Sequence, residues 1–181
     1  KGVKNLIEVG CGVGAQTKLL LKRNPKMKIM GIDASELQLN QAHRFLASEI
    51  KKGKVNLSLQ NAMDMSFVDS QFDGAFLCWF LEHVPDPLKV LKETRRVLKK
   101  DAVIYCSEIQ NASLFVEPYS PALLQYWFLF NDQQWLMKGD PFVGAKLGNL
   151  LKAAGFRKIE VHIRPTFFDS RTAKERSKFL T

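Results

Sequence analysis

An α/β fold with a doubly wound, mostly parallel sheet is the architecture this sequence predicts, on three observations. Short apolar runs alternate with helical patterns through most of the chain. The connections between them are brief, as strand–helix–strand units require. The first strand runs directly into the glycine turn Gly10-Cys11-Gly12-Val13-Gly14, and a helix follows at once.

Leu6, Ile7 and Val9 mark the first strand, and Thr17, Leu20 and Leu21 mark the helix after the turn. Three glycines in five residues let the backbone turn tightly and approach a ligand, because no Cβ intervenes. The N–H groups of the helix start then face whatever lies across the turn. Gly10, Gly12 and Ala15 satisfy the dinucleotide spacing G-x-G-x-x-A, with Asp33 at the distance of a ribose-binding acid. Glu8 argues the other way. A diphosphate at this turn with a carboxylate ~5 Å away is disfavoured by roughly 3 kcal/mol at an effective dielectric of about 20, and a cation is favoured by a similar amount. S-adenosylmethionine, which carries an ammonium and a sulfonium, fits that sign. A solvated glutamate at a strand end is the plain alternative.

Lys28 to Ile32 is the second predicted strand, leading into Asp33. Ser35 and Gln38 form a capping box for a helix whose apolar stripe is Leu39, Ala42, Leu46 and Ile50. Asp33 therefore stands at the carboxyl end of its strand, beside the glycine turn, where open α/β sheets bind ligands. Val55 to Leu59 is the third strand, and Phe72 to Trp79 the fourth, apolar enough to be covered on both faces. Asp86-Pro87 starts a helix with faced residues Leu88, Leu91, Thr94 and Leu98. Lys99-Lys100-Asp101 closes that helix, and Ala102 to Ser107 is the fifth strand.

Beyond Glu108 the pattern changes. Residues 111–140 are aromatic and interrupted by Pro118, Pro121 and Gly139, which predicts a helical insertion on the substrate side of the sheet. An amphipathic helix from Pro141 to Ala154 stops at Gly155; a sixth strand, Lys158 to Ile163, and the start of a helix at Thr172 to Leu180 follow.

The 181 residues predict one domain, residues 1–181, large enough for a real core. Composition is that of a soluble globular chain, at 46% hydrophobic and 25% charged. No apolar run reaches the ~20 residues of a membrane helix, and no signal peptide precedes the first strand. The abrupt start leaves open whether the termini are truncated. Cys11, Cys78 and Cys106 have no paired spacing, and His43, His83 and His162 have no ligand spacing. The expectation is a cytoplasmic protein with reduced thiols and no metal. A net charge of +9 raises nucleic acid or an acidic surface as a partner, but the basic residues are dispersed over helix ends and polar faces. Oligomeric state is not legible.

The order of motifs resembles the class I S-adenosylmethionine-dependent methyltransferases, of the type acting on small molecules. The matching stretches are Glu8–Gly14, Gly31-Ile32-Asp33-Ala34-Ser35, Asn61–Phe67, Phe72-Asp73, Leu81–Asp86 and Glu93–Lys99. Six in register are specific where any one alone is weak. The resemblance implies a Rossmann-like sheet and a set of cofactor contacts. Gly10, Cys11 and Gly12 lie against the methionine part, with Glu8 facing its ammonium directly or through water, and Gly14 is a further cofactor-binding residue of the turn. Asp33 holds the ribose, with Ala34 beside the adenine. Ala62 and Met63 offer a backbone N–H and an apolar wall to the adenine, and the Cys78 carbonyl meets the methionine amine. Asn61 stands where many relatives have Asp, and still accepts from the adenine amino group. Relatives also carry a seventh strand paired with the sixth, and helices before the first strand; neither is evident here.

Methyl transfer from a sulfonium needs alignment and a dry pocket, and a base only where the acceptor is protonated. His83 and Glu108 are the candidate bases, each with a structural role as the alternative. Tyr119, Trp127, Trp135 and Phe142 are the candidate substrate wall, with ordinary core packing as the alternative. An apolar or aromatic small molecule is the expected acceptor. RNA or protein methylation, or cofactor binding without turnover, are the competing readings.

Overall fold

The computed structural model describes residues 2–165. Five parallel strands form one sheet in the order β3-β2-β1-β4-β5: β1 Asn5–Val9, β2 Lys28–Asp33, β3 Val55–Leu59, β4 Phe72–Cys78 and β5 Leu98–Ser107. The helices are α1 Ala15–Arg23, α2 Glu36–Phe45, α3 Ala47–Lys51, α4 Pro87–Val97, α5 Pro121–Leu136 and α6 Val143–Ala153. The predicted doubly wound sheet is observed.

Its layers follow from strand alternation. On β1, Ile7 and Val9 belong to one core with Val90, Leu91 and Val97 of α4 and Val143 and Leu151 of α6. Leu6 belongs to the other, with Leu21 of α1, Ile29 of β2 and Leu46. Burying such an aliphatic side chain stabilises the fold by roughly 1.5–3 kcal/mol. Two of the helix starts match their sequence signals. The Ser35 hydroxyl accepts from the Gln38 N–H at 3.3 Å, and the Asp86 carboxylate accepts from the Lys89 N–H at 2.9 Å.

Several expected boundaries shift, each for a physical reason. The predicted long helix breaks at Leu46 into α2 and α3, with fully buried Leu46 at the break. β4 stops at Cys78 because Trp79 adopts a left-handed φ of 53°. The inward face of α4 is Val90, Leu91, Thr94 and Val97, with Leu88 only half-buried. β5 begins at Leu98, so Lys99-Lys100-Asp101 belongs to the strand and does not close the helix. Lys99 reaches across the sheet to Asp73 at 2.6 Å, an ion pair that a charged triplet alone does not reveal.

Residues 158–163 form no strand. Ile159 packs against the core, but Ile163 is 92% exposed, and the segment pairs with no strand among the described residues. A strand needs a partner for its backbone groups, and the alternating pattern alone supplies none. The helix expected at 172–180 lies outside the described residues.

The insertion is helical, as predicted, but α5 inverts the usual pattern. Its inward stripe is Trp127, Asn131 and Gln134, while Tyr126, Phe128, Leu129, Trp135 and Leu136 are exposed. Trp127 Nε1 donates to the Asn111 carbonyl at 2.8 Å, and Asn111 Nδ2 donates to Asn131 Oδ1 at 2.9 Å. Gln134 Nε2 donates to the carbonyl and the carboxylate of Glu82 at 3.2 and 3.1 Å. Polar bonds, rather than apolar periodicity, attach this helix.

Candidate functional site

The glycine turn lies at the carboxyl end of β1, the central strand, with β2 on one side and β4 on the other. Gly10, Gly12 and Gly14 all have positive φ, of 73°, 51° and 84°. Their reasons differ. A Cβ on Gly10 would lie 2.1 Å from the Phe80 ring, and one on Gly14 would lie 2.5 Å from Leu46, whereas one on Gly12 would meet only Gln38 Oε1, at 4.0 Å. Gly14 is thus required by its left-handed backbone and by its packing against Leu46.

The N–H groups of this turn are largely taken up inside the protein. Gly10 and Cys11 both donate to the Ile32 carbonyl, at 2.9 and 3.0 Å, and Gly14 donates to the Cys11 carbonyl at 2.9 Å. Gly12 donates to Asp33 Oδ2 at 2.9 Å. A diphosphate would need such donors free. Their engagement disfavours it, independently of Glu8.

Glu8 lies behind the turn. It is 2% exposed and does not line the adjoining cavity, and its Oε2 accepts from Thr17 Oγ1 at 2.6 Å. Burial pushes its carboxyl up to about 7, against the opposing effect of the Thr17 bond. In the free protein near neutral pH it is therefore only partly ionised. A cation brought close would ionise it, while an anion would favour the protonated form.

Beside the turn is a cavity of about 340 Å³, lined by Gly10, Ile32, Asp33, Ala34, Gln60, Asn61, Ala62, Met63, Phe80, Val84 and Pro85. Six sequence-predicted residues meet there: Gly10, Asp33, Ala34, Asn61, Ala62 and Met63. Glu8, Cys11, Gly12, Gly14 and Cys78 surround the turn without lining it. Cys11 is buried, and its sulfur packs where a Cβ on Gly31 would stand, at 3.1 Å. Cys78 closes β4, one residue beyond the Val9–Leu77 pair. Asp33 accepts from Gly12 with one oxygen and from the Ser35 N–H, at 2.9 Å, with the other. Each oxygen keeps a further lone pair for a ribose hydroxyl. Asn61 Oδ1 accepts from the Met63 N–H at 2.9 Å, so that N–H is already engaged, and Ala62 is the better backbone donor for a base.

Sequence reasoning missed Ile32, Gln60, Phe80, Val84 and Pro85. It also missed what holds the Asn61–Met65 loop. Glu93 Oε1 accepts from the Met65 N–H at 2.8 Å, and Arg96 Nη2 donates to the Met65 carbonyl at 2.9 Å. Arg96 Nη1 adds the Phe67 carbonyl and Asp69, both at 2.7 Å. Their place within a matching motif was the available signal.

The candidate bases stand apart from the cavity. The His83 side chain is 62% exposed, with Nε2 3.6 Å from Glu82 Oε1. Glu108 Oε1 accepts from the N–H groups of Phe80 and Leu81 at 3.2 and 2.9 Å, and its Oε2 is buried without a partner. Burial pushes the Glu108 carboxyl up to about 7. The four aromatic candidates do not gather into one pocket. Trp127 anchors α5, Tyr119 is 72% exposed, and Phe142 is half-buried beside the start of α6. Trp135 borders a second cavity of about 320 Å³ with Val84, Pro85 and Asp140.

Among the described residues no helix is long and apolar enough to cross a membrane, and no three His, Cys, Asp or Glu side chains meet as a metal site. A family model described as a methyltransferase domain matches residues 7–106. The O-methyltransferase resE of Aspergillus sclerotiorum is 29% identical over 160 residues, covering 87% of this chain and 56% of its own. The demethylmenaquinone methyltransferase of Lactococcus lactis is 33% identical over 171 residues, covering 86% of this chain and 67% of its own. A solved SAM-dependent methyltransferase of Methanosarcina mazei superposes with a TM-score of 0.66 at 26% identity, covering 85% of this chain and 80% of that one. The chain thus spans between about half and two thirds of the length of the two named relatives.

Proposed function

This chain belongs to the class I S-adenosylmethionine-dependent methyltransferase family, and from that premise we propose that it methylates a small apolar or aromatic acceptor by direct displacement. One observation carries the reading. The turn engages the N–H groups of Gly10, Cys11, Gly12 and Gly14 inside the protein and keeps a buried carboxyl behind it, next to a cavity with a nucleoside-binding acid.

S-adenosylmethionine supplies an activated methyl group on a sulfonium. In our reading the chain's own residues do the rest. Asp33 orients the ribose hydroxyls while its bonds to Gly12 and Ser35 keep the carboxylate fixed. Asn61 shapes the loop that presents Ala62, and Met63 forms an apolar wall. Glu8 attracts positive charge from behind the turn. Alignment in a water-poor pocket supplies several kcal/mol of the rate enhancement. Glu108 is held by the Phe80–Leu81 turn, and exposed His83 lies outside the cavity, so neither is assigned as a base.

The relatives named as O-methyltransferases and demethylmenaquinone methyltransferases support an oxygen-bearing or quinone-type aromatic acceptor. The net charge of +9 is the observation favouring RNA or an acidic protein instead. Incubation with methyl-labelled S-adenosylmethionine and separate panels of phenols, quinols and RNA tests the proposal. Label in a phenol or quinol is the expected result. Label in RNA alone overturns the acceptor class, and S-adenosylhomocysteine binding without any transfer favours a binding domain.

A further inference from the structure

The Phe80 ring stands over the one glycine of the turn that lines the cavity. Its Cδ2, Cγ and Cε2 lie 2.1, 2.6 and 2.8 Å from where a Cβ on Gly10 would be, so the ring edge rests on the Gly10 backbone. Phe80 and Gly10 both line the nucleoside cavity, whereas Glu8 and Cys78 do not. The ring thus forms cavity wall directly against the glycine turn, and neither Glu8 nor Cys78 contributes surface to that cavity.

The backbone beneath the ring is pinned. Trp79 donates to the Ser107 carbonyl at 2.9 Å, while Phe80 and Leu81 donate to Glu108 Oε1. Three consecutive N–H groups are therefore held by the end of β5. Trp79 keeps a left-handed φ of 53°, a conformation that persists in a non-glycine residue only when its surroundings impose it. With the main chain fixed, the ring has its side-chain torsions as its means of moving.

We propose that Phe80 is a positioning residue that shutters the amino-acid end of the cofactor site, and that Glu108 sets it there by holding the turn. This rests on the S-adenosylmethionine reading above. In the free protein the ring covers Gly10, and in this proposal it thereby bars the way past the turn to Glu8 and Cys78. A nucleoside lacking the amino-acid tail enters beside the ring; the full cofactor requires the ring to rotate away. The apparent affinity for the full cofactor is then lowered by the fraction of molecules with the shutter open, and the affinity for the nucleoside is not.

Calorimetry with adenosine and with S-adenosylhomocysteine, on the wild-type chain and on Phe80→Ala, separates the possibilities. A shutter predicts that Phe80→Ala tightens S-adenosylhomocysteine binding about fivefold or more while adenosine changes less than about twofold. A ring that is simply part of the wall predicts weaker binding of S-adenosylhomocysteine, or equal change for both ligands, and either result overturns the proposal. Should Phe80→Ala fail to fold, Phe80→Leu is read by the same criterion. Glu108→Ala must move S-adenosylhomocysteine affinity without moving adenosine affinity, and Glu108→Gln, which retains an acceptor oxygen, must restore wild-type behaviour. If the wild-type chain binds neither ligand, the cofactor reading itself fails.

Discussion

Thr17 Oγ1 donates a 2.6 Å hydrogen bond to Glu8 Oε2, joining the first turn of α1 to the end of β1 beneath the glycine turn. Both side chains are buried, Thr17 completely. The bond holds down a carboxyl that burial pushes up, and on the cofactor reading proposed above it should affect how readily the turn accepts positive charge.

Replacing Thr17 by Val removes that bond while keeping the shape of the side chain. Glu8 then ionises at higher pH, and S-adenosylhomocysteine binding at pH 7 weakens by about 1 kcal/mol, the scale of one hydrogen bond. Titration calorimetry reads this directly; unchanged affinity would separate Glu8 from binding.

Binding in the wild-type chain should follow the same proton. The Glu8 carboxyl is at about 7 in the free protein and must be ionised to attract an ammonium, so affinity rises between pH 6 and pH 8. Protons are released on binding, and calorimetry in two buffers of different ionisation enthalpy detects them. Glu8→Gln removes the dependence on this group.

Stability of the free protein runs in the opposite direction. Glu8 and Glu108 both titrate at about 7 when folded and near their ordinary 4.5 when unfolded, so between these values the native state binds more protons. Their favourable contribution is complete below pH 4.5 and is lost as pH rises through 7, by up to roughly 3 kcal/mol for Glu8. Asp73 and Glu93 are held below their ordinary values by Lys99 and Arg96, and their contribution disappears in acid. Urea denaturation should give higher stability at pH 5.5 than at pH 8.

Asp33→Ala should weaken S-adenosylhomocysteine binding by about 1.5–3 kcal/mol, the scale of a lost charged acceptor. It also strips the partner from the Gly12 and Ser35 N–H groups, so the melting temperature falls as well. Asp33→Asn retains one acceptor oxygen and should lose less stability. Affinity that survives Asp33→Ala would remove this residue from the nucleoside site.

Two glycines of the turn should respond differently to alanine. Gly14→Ala drives a methyl to 2.5 Å from Leu46 at a φ of 84°, and we expect a loss of about 2–3 kcal/mol in urea denaturation. Gly12→Ala meets only Gln38 Oε1, at an ordinary 4.0 Å, and bears only the left-handed backbone strain, about 1–2 kcal/mol. Equal losses would contradict the packing assigned to Gly14.

What was legible in the sequence was local. The apolar runs mark all five strands of the sheet, and Ser35, Asp86 and the three glycines mark where the chain caps or turns. The pattern misled where it had no neighbour to act on. Ile159, Val161 and Ile163 alternate as a strand would, yet only Ile159 packs against the core. In α5 the aromatic residues suggested a pocket wall, whereas Trp127, Asn131 and Gln134 face inward through polar bonds.

The sequence by itself determined the order of elements, the glycine turn at the carboxyl end of the first strand, and Asp33 beside it. Those follow from side-chain periodicity and backbone freedom, which neighbouring residues decide among themselves. Only the tertiary structure decided that Glu8 is buried, that most of the turn's N–H groups are taken up, and that Phe80 rests on Gly10. These depend on partners 21 residues away for Gly12 and Asp33 and 27 for Leu81 and Glu108. No local pattern records such meetings; they arise when the sheet brings the strand ends together.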